Sequence, residues 1–244
     1  MISKKPFKKI ASGLVELVKE FFEKLLQIIY PSFCLFCSDL VSPDDVACDS
    51  CLKNIRVPAT VEFKVAESKV IKVYALSEYE GPIRSLLMGK LNGNISSSKR
   101  AAKLVMRATN FNMFDQQNIN DSILVPIPLH WTRKLWRGFN QSSAMAEVYS
   151  EKTGIPVVNL LCKIKKTEYQ SVLSKSLRAE NVKNAFKLSD NICEESRRKI
   201  EGKKIIIVDD LCTTGSTLVV AAKILFKLKP RSVAAAVTCR VLGA

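Results

Sequence analysis

Asp209 and Asp210 stand side by side at the end of a β-branched run, Ile205 to Val208, and Thr213, Thr214, Gly215, Ser216 and Thr217 follow almost at once. Two neighbouring carboxylates can accept hydrogen bonds from two adjacent sugar hydroxyls, and they can also help to hold a divalent cation. A hydroxyl-rich turn that opens a helix offers unpaired backbone N–H groups and a positive dipole end, both suited to phosphate. Gly215 allows the turn to be tight. A diol acceptor beside a monophosphate cradle describes ribose 5-phosphate. A nucleotide-binding loop of the Gly-Lys-Ser/Thr type and a dinucleotide G-x-G-x-x-G are both absent from this stretch. The competing reading is an ordinary helix capped by Thr or Ser, which needs one hydroxyl and no acid pair.

A second chemistry-bearing cluster lies near the N-terminus. "CLFC" (Cys34, Cys37) is followed after ten residues by "CDSC" (Cys48, Cys51). Two chelating pairs on short turns supply four thiolates, the ligand set of a closed, structural Zn²⁺ site. A redox CxxC, an iron–sulfur cluster and four free thiols are the alternatives; neither pair follows a predicted βαβ strand, which weakens the redox reading. The intervening loop, "SDLVSPDDVA", is acidic and argues against direct contact of this module with phosphate.

The elements that must position these groups follow from pattern. Residues 69–79 read as a strand, 82–88 as a helix, 122–128 as a buried strand, 140–153 as a helix and 156–162 as a short strand. Residues 205–208 then form a fully apolar strand, 216–229 a helix and 232–239 a last strand. Alternation of this kind implies an α/β fold with a mostly parallel sheet flanked by helices. Ile10, Leu14, Leu17, Phe21, Leu25 and Ile28 recur at helical spacing, so residues 9–29 read as an amphipathic helix that packs on its own domain or a second copy; attachment to a membrane surface is the alternative, disfavoured because the polar face mixes both charge signs. The expected organisation is a helix within 1–30, a cysteine module over 31–57 and the α/β domain over 58–244.

The chain has 244 residues, 47% of them hydrophobic, and a formal net charge of +15. The surplus favours anionic partners or a solvated basic surface. No secretory signal is legible and no segment reaches the ~18 uninterrupted apolar residues of a membrane span. The reading is a protein of the reducing cytoplasm with no stable membrane insertion.

Taken together, "VDDLCTTGST", "YEGPIRSLLMGKLNGN", "PIPLHWTRKLWRGFNQS", "TEYQSVLSKSLRAENVKNAF" and the paired cysteines occur in an order that resembles the ComF family. These are phosphoribosyltransferase-like competence proteins of bacteria, and the resemblance spans residues 25–241. It implies a type I phosphoribosyltransferase fold and binding of phosphoribosyl pyrophosphate with Mg²⁺. Asp209 and Asp210 would hold the ribose diol and be the residues on which any catalysis turns. Thr213, Thr214, Gly215, Ser216 and Thr217 would hold the 5-phosphate, and the stretch Pro126–His130, with Pro128 and His130, would lie near the diphosphate. His130, the single histidine, reads as structural rather than as a base. Thr167, Gln170, Arg178 and Asn181 would lie on a flexible segment closing over the site, together with Lys163 and Lys165, which stand where the family tends to carry arginine. Arg137, Gly138, Phe139, Asn140 and Gln141 match a family signature that suggests no chemistry by itself.

"HWTRKLWRGF" interleaves Trp131, Trp136 and Phe139 with Arg133, Lys134 and Arg137. Aromatic faces stack on bases while cations track a single strand, so Arg133, Lys134 and Arg137 are DNA-binding candidates. The competing reading, favoured for the tryptophans, is that the aromatics fill the core. By resemblance the function is uptake or processing of single-stranded DNA in natural transformation, with competence helicase and recombination proteins as partners. An active phosphoribosyltransferase of nucleotide salvage, transferring 5-phosphoribose to a base or amine, and a catalytically silent ligand-binding module are the alternatives.

Overall fold

A computed structural model describes residues 25, 29–43, 45–89, 95–109, 121–132, 135, 138–164 and 184–241. The chain divides into two compact units, Met1–Cys51 and Leu52–Ala244. Most of the helix expected over 9–29 lies outside the described residues, as do Arg133, Lys134, Trp136, Arg137, Lys165, Thr167, Gln170, Arg178 and Asn181.

In the first unit a short antiparallel hairpin, β1 (Ser32–Phe33) and β2 (Leu40–Val41), pairs Ser32 with Val41 and Phe33 with Leu40. A five-residue helix, α1 (Asp49–Lys53), follows.

The second unit is built on a five-stranded sheet of order β3-β4-β9-β8-β5. Its strands are β3 (Val61–Ala66), β4 (Lys69–Glu78), β5 (Ser122–Pro126), β8 (Lys204–Cys212) and β9 (Ser232–Arg240). Only β3 runs antiparallel to its neighbour; the β4–β9, β9–β8 and β8–β5 pairs are parallel. A separate antiparallel ribbon joins β6 (Leu161–Lys163) to β7 (Phe186–Leu188).

The apolar run of β8 is what a strand covered on both faces needs. Ile205 and Ile207 enter a cluster with Leu218, Ala221, Ala222 and Leu225 of α6 (Ser216–Leu225) and with Leu161 and Phe186 of the ribbon. Ile206 and Val208 are equally buried but, by strand alternation, point to the other face. On that face lie α2 (Gly81–Gly89), α3 (Ile95–Ala108) and α4 (Gln141–Thr153); the Thr238 hydroxyl of β9 approaches Met145 Sδ of α4 at 4.0 Å. Helix α3 buries Ala101, Ala102, Leu104, Val105 and Met106, and α5 (Glu194–Ile200) buries only Ile200.

Several boundaries differ from the sequence-based expectation. The strand at 205–208 continues to Cys212, because β9 supplies pairing partners, Val237 to Asp209 and Arg240 to Cys212. The strand at 122–128 ends at Pro126. Residues 156–162 do not form one strand: Val157 makes an isolated bridge to Leu124, and β6 begins at Leu161. The helix at 216–229 leaves α geometry after Leu225 and tightens into a 3₁₀ turn over Phe226–Leu228. Among the described residues no helix is long and apolar enough to cross a membrane.

Candidate functional site

The β1–β2 hairpin presents Cys34 and Cys37 in its turn. The Asp39 carbonyl accepts from the Cys34 N–H at 2.7 Å, the Cys34 carbonyl accepts from Ser38 at 3.1 Å, and Ser38 takes a positive φ of 64°. Cys48 precedes α1 and Cys51 lies in its first turn. The four Sγ atoms all lie within 4.8 Å of one another, and Cys37 and Cys48 approach to 3.6 Å. Metal–sulfur bonds of ~2.3 Å at tetrahedral angles give sulfur–sulfur edges of about 3.8 Å, so the set fits one ion with small adjustment.

The electrostatics fit a cation as well. Burial raises the Cys34 thiol, but backbone donation from Cys37, Cys48 and Phe36 outweighs it and brings the thiol down to about 6. Two of these contacts are the N–H groups of Cys48 and Phe36, at 3.4 and 3.5 Å from Cys34 Sγ. Backbone donation from Asp39 acts to lower Cys37, yet its S–H donates to the Asp39 carboxylate at 3.2 Å, and the thiol is held well above the ordinary range. The Cys51 thiol is also raised, first by its hydrogen bond with Cys48. Cys34 lowered while Cys37 and Cys51 are raised leaves close sulfurs that do not ionise together, and a bound dication would remove that conflict.

In the second unit β8 delivers Asp209 and Asp210, both half-buried, to the carboxyl edge of the sheet. This is where open parallel sheets bind ligands. The backbone then turns through Thr213 and Thr214 to Gly215, which sits at φ 74° as the N-cap of α6. Gly215 itself offers no side chain to that helix end. The Thr214 and Ser216 hydroxyls are 2.8 Å apart and bond to each other.

Gly215 is required twice over. Its φ lies in the left-handed region, and a Cβ there would stand 2.5 Å from Phe63 Cε1 on strand β3. Behind the loop the Cys212 thiol is pushed up to about 11, first by burial and then by the Asp209 charge.

The other strand exit completes the edge. After β5 the Ile127 N–H donates to the Val208 carbonyl at 3.0 Å, which keeps the chain beside β8 through Pro128, a half-buried residue. His130 is buried, with Nδ1 2.9 Å from the Thr132 hydroxyl. Trp131 is 64% exposed, which corrects the expectation that it fills the core. Leu135, four residues on, is 76% exposed. Lys163 ends β6 opposite Phe186, with Nζ 5.4 Å from that ring, so it belongs to the ribbon and not to the loop that follows.

One set of contacts was not legible beforehand. The Ser142 hydroxyl of α4 donates to Asp209 Oδ1 at 3.1 Å, and the Asp210 N–H donates to the same oxygen at 2.9 Å. Asn140 Nδ2 donates to the Ile127 carbonyl at 2.9 Å. The Arg137–Gln141 signature was the only pointer in the sequence to this turn.

A family model described as a phosphoribosyl transferase domain matches residues 140–243, the span from α4 through the acid pair and the loop to β9. Competence protein F of Haemophilus influenzae is 29% identical over 183 residues, covering 74% of this chain and 72% of that protein. DNA utilization protein YhgH of Salmonella typhimurium is 30% identical over 182 residues, covering 70% and 73% respectively. Competence protein ComFC of Bacillus subtilis is 37% identical over 105 residues, covering 43% and 38%. With the sheet order above, the expected fold holds: a phosphoribosyltransferase-type domain with a mixed, mostly parallel sheet flanked by helices.

Proposed function

The chain belongs to the ComF family, and from that premise we propose that it binds phosphoribosyl pyrophosphate at the β8–α6 junction and serves DNA uptake in natural transformation. The observation that carries the ligand assignment is the N-terminus of α6, opened by Gly215 in the left-handed region, beside two half-buried aspartates at the same sheet edge. Asp209 and Asp210 accept from the ribose hydroxyls. The N–H groups of Gly215, Ser216 and Thr217, with the hydroxyls of Thr213, Thr214, Ser216 and Thr217, take the 5-phosphate. The exit of β5, Ile127 to His130, faces the diphosphate. Half-buried carboxylates suit Mg²⁺, which binds through one or two carboxylates and substrate phosphate oxygens and would offset the charge of the leaving diphosphate.

The cysteine centre holds Zn²⁺ as a structural ion, since four thiol ligands close its coordination. A ligand set of this kind suits a reducing compartment, and we place the protein in the cytoplasm, where competence helicase and recombination proteins are its partners. Trp131, open to solvent one residue beyond His130, supports contact with single-stranded DNA: its face is available to stack on a base, with Arg133, Lys134 and Arg137 following the backbone.

Calorimetry with Mg²⁺ tests the reading. Ribose 5-phosphate and phosphoribosyl pyrophosphate should each bind once per chain, and the D209N/D210N variant should bind at least about tenfold more weakly. No heat with the intact protein, or equal heat with the variant, removes the assignment. Diphosphate release with one free base from a panel would point to salvage chemistry instead.

A further inference from the structure

The ligand reading above leaves a structural question: what fixes the distance between the sugar end and the diphosphate end of the site? The two ends sit on different strands, at the exits of β8 and β5. We infer that the first turn of α4 is a clamp that sets this spacing, with Ser142 and Asn140 as its two jaws.

Each jaw is a specific contact. Ser142, 4% exposed, donates to Asp209 Oδ1 at 3.1 Å, and the Asp210 N–H shares that oxygen at 2.9 Å. Two donors on one carboxylate oxygen fix the plane of the carboxylate. Asn140 Nδ2 donates to the Ile127 carbonyl at 2.9 Å and to the Ser143 hydroxyl at 2.9 Å. Ile127 in turn is tied to Val208 at 3.0 Å, immediately before Asp209.

The residue types make the point sharper. Asn and Ser are the side chains best suited to cap a helix. Asn140 occupies the N-cap position in extended backbone and does not cap α4. Its amide links the Ser143 hydroxyl of its own helix to the exit of β5, and Ser142 reaches to the exit of β8. Gly138, at φ 76°, redirects the chain just before the turn. In the same turn two buried amide atoms, Asn140 Oδ1 and Gln141 Nε2, have no hydrogen-bond partner among the described residues. The turn thus carries polar capacity that the described residues do not use, as expected where a polar ligand lies alongside. A 13-residue helix holds both strand exits more rigidly than loops could.

This inference rests on the ligand assignment of the previous subsection and specifies how that site is held. Both residues are positioning residues, acting through Asp209 and the Ile127 carbonyl. The test compares ligands that use one end or both, by calorimetry with Mg²⁺. Ser142→Ala should weaken ribose 5-phosphate and phosphoribosyl pyrophosphate alike, by roughly five- to tenfold, through loss of a charged hydrogen bond. Ser142→Thr, which keeps the hydroxyl, should restore most of the affinity. In a D209N background Ser142→Ala should add no further loss. Asn140→Ser, a residue equally suited to the N-cap position but too short to reach Ile127, should weaken phosphoribosyl pyrophosphate and inorganic diphosphate and leave ribose 5-phosphate within about twofold.

The outcomes separate cleanly. If the intact protein binds neither sugar ligand, the ligand assignment falls and the clamp falls with it. If it binds both, and Ser142→Ala stays within twofold or Asn140→Ser weakens ribose 5-phosphate as much as the diphosphate ligand, the clamp alone is overturned. Ser142→Ala and Ser142→Thr that lose affinity together, with melting temperatures equal to the parent, also overturn it.

Discussion

Replacing Gly215 with alanine puts the tightest contact of the loop under direct test. The added Cβ meets Phe63 at 2.5 Å to Cε1, 2.6 Å to Cζ and 2.9 Å to Cδ1. Holding an L-residue at φ 74° costs about 1–2 kcal/mol. The overlap demands a ring shift of roughly 1 Å in a packed surface, an overpacking cost of about 1–3 kcal/mol. Together the single variant should lose about 2–5 kcal/mol, roughly 4–20 °C of melting temperature at 2–4 °C per kcal/mol for a unit of this size. Phe63→Ala removes a half-buried ring and should cost about 2 kcal/mol, below the range for full burial. The double variant G215A/F63A keeps the backbone term but not the overlap. Its loss should fall short of the sum of the singles by the overlap term, about 1–3 kcal/mol. Urea unfolding of all four proteins, with equal slopes, measures this coupling. Additivity within about 0.5 kcal/mol would mean that Phe63 does not press on the loop, and the account of why Gly215 stands there would be wrong.

Three further outcomes follow from the same geometry. Cys212 keeps its proton to about pH 11 in the folded chain against an ordinary value of 9.0, so the folded state holds the proton that the unfolded state releases. Its contribution is complete below pH 9 and is lost as pH rises towards 11, up to about 2–3 kcal/mol by the shift, so melting of the parent should fall more steeply across that window than melting of Cys212→Ala. Dialysis against a strong chelator should release one equivalent of metal from the native chain, and Cys48→Ser should retain less than one; full occupancy in that variant would remove the four-sulfur centre. Retention of single-stranded DNA should drop by orders of magnitude between 50 and 200 mM salt and weaken by about 1–3 kcal/mol in Trp131→Ala; salt-insensitive retention, or none, would exclude the DNA contact.

The acid-pair loop and the cysteine pairs were readable because their chemistry is local: adjacent residues at fixed offsets. The boundary of β8 was not, because the extension from Asp209 to Cys212 is made by pairing with β9, not by the propensity of "DDLC". The alternation of "VEFKVA" in β3 carries a strand signal, but its antiparallel place beside β4, and Phe63 against Gly215, depend on partners far along the chain. Trp131 was misread for a related reason. Aromatic residues have a general preference for the interior, and its exposure follows from where the chain leaves β5.

What the sequence determined by itself was the inventory and its family: four thiols in two pairs, two carboxylates, a hydroxyl-rich turn with one glycine, and an α/β alternation to carry them. What only the tertiary structure decided was which of those groups are held, and by what. Ser142 bracing Asp209 across 67 residues and Asn140 tying down Ile127 are contacts between segments. Short-range pattern encodes dihedral preference and burial periodicity, whereas a hydrogen bond between distant segments exists only once packing has brought donor and acceptor within reach.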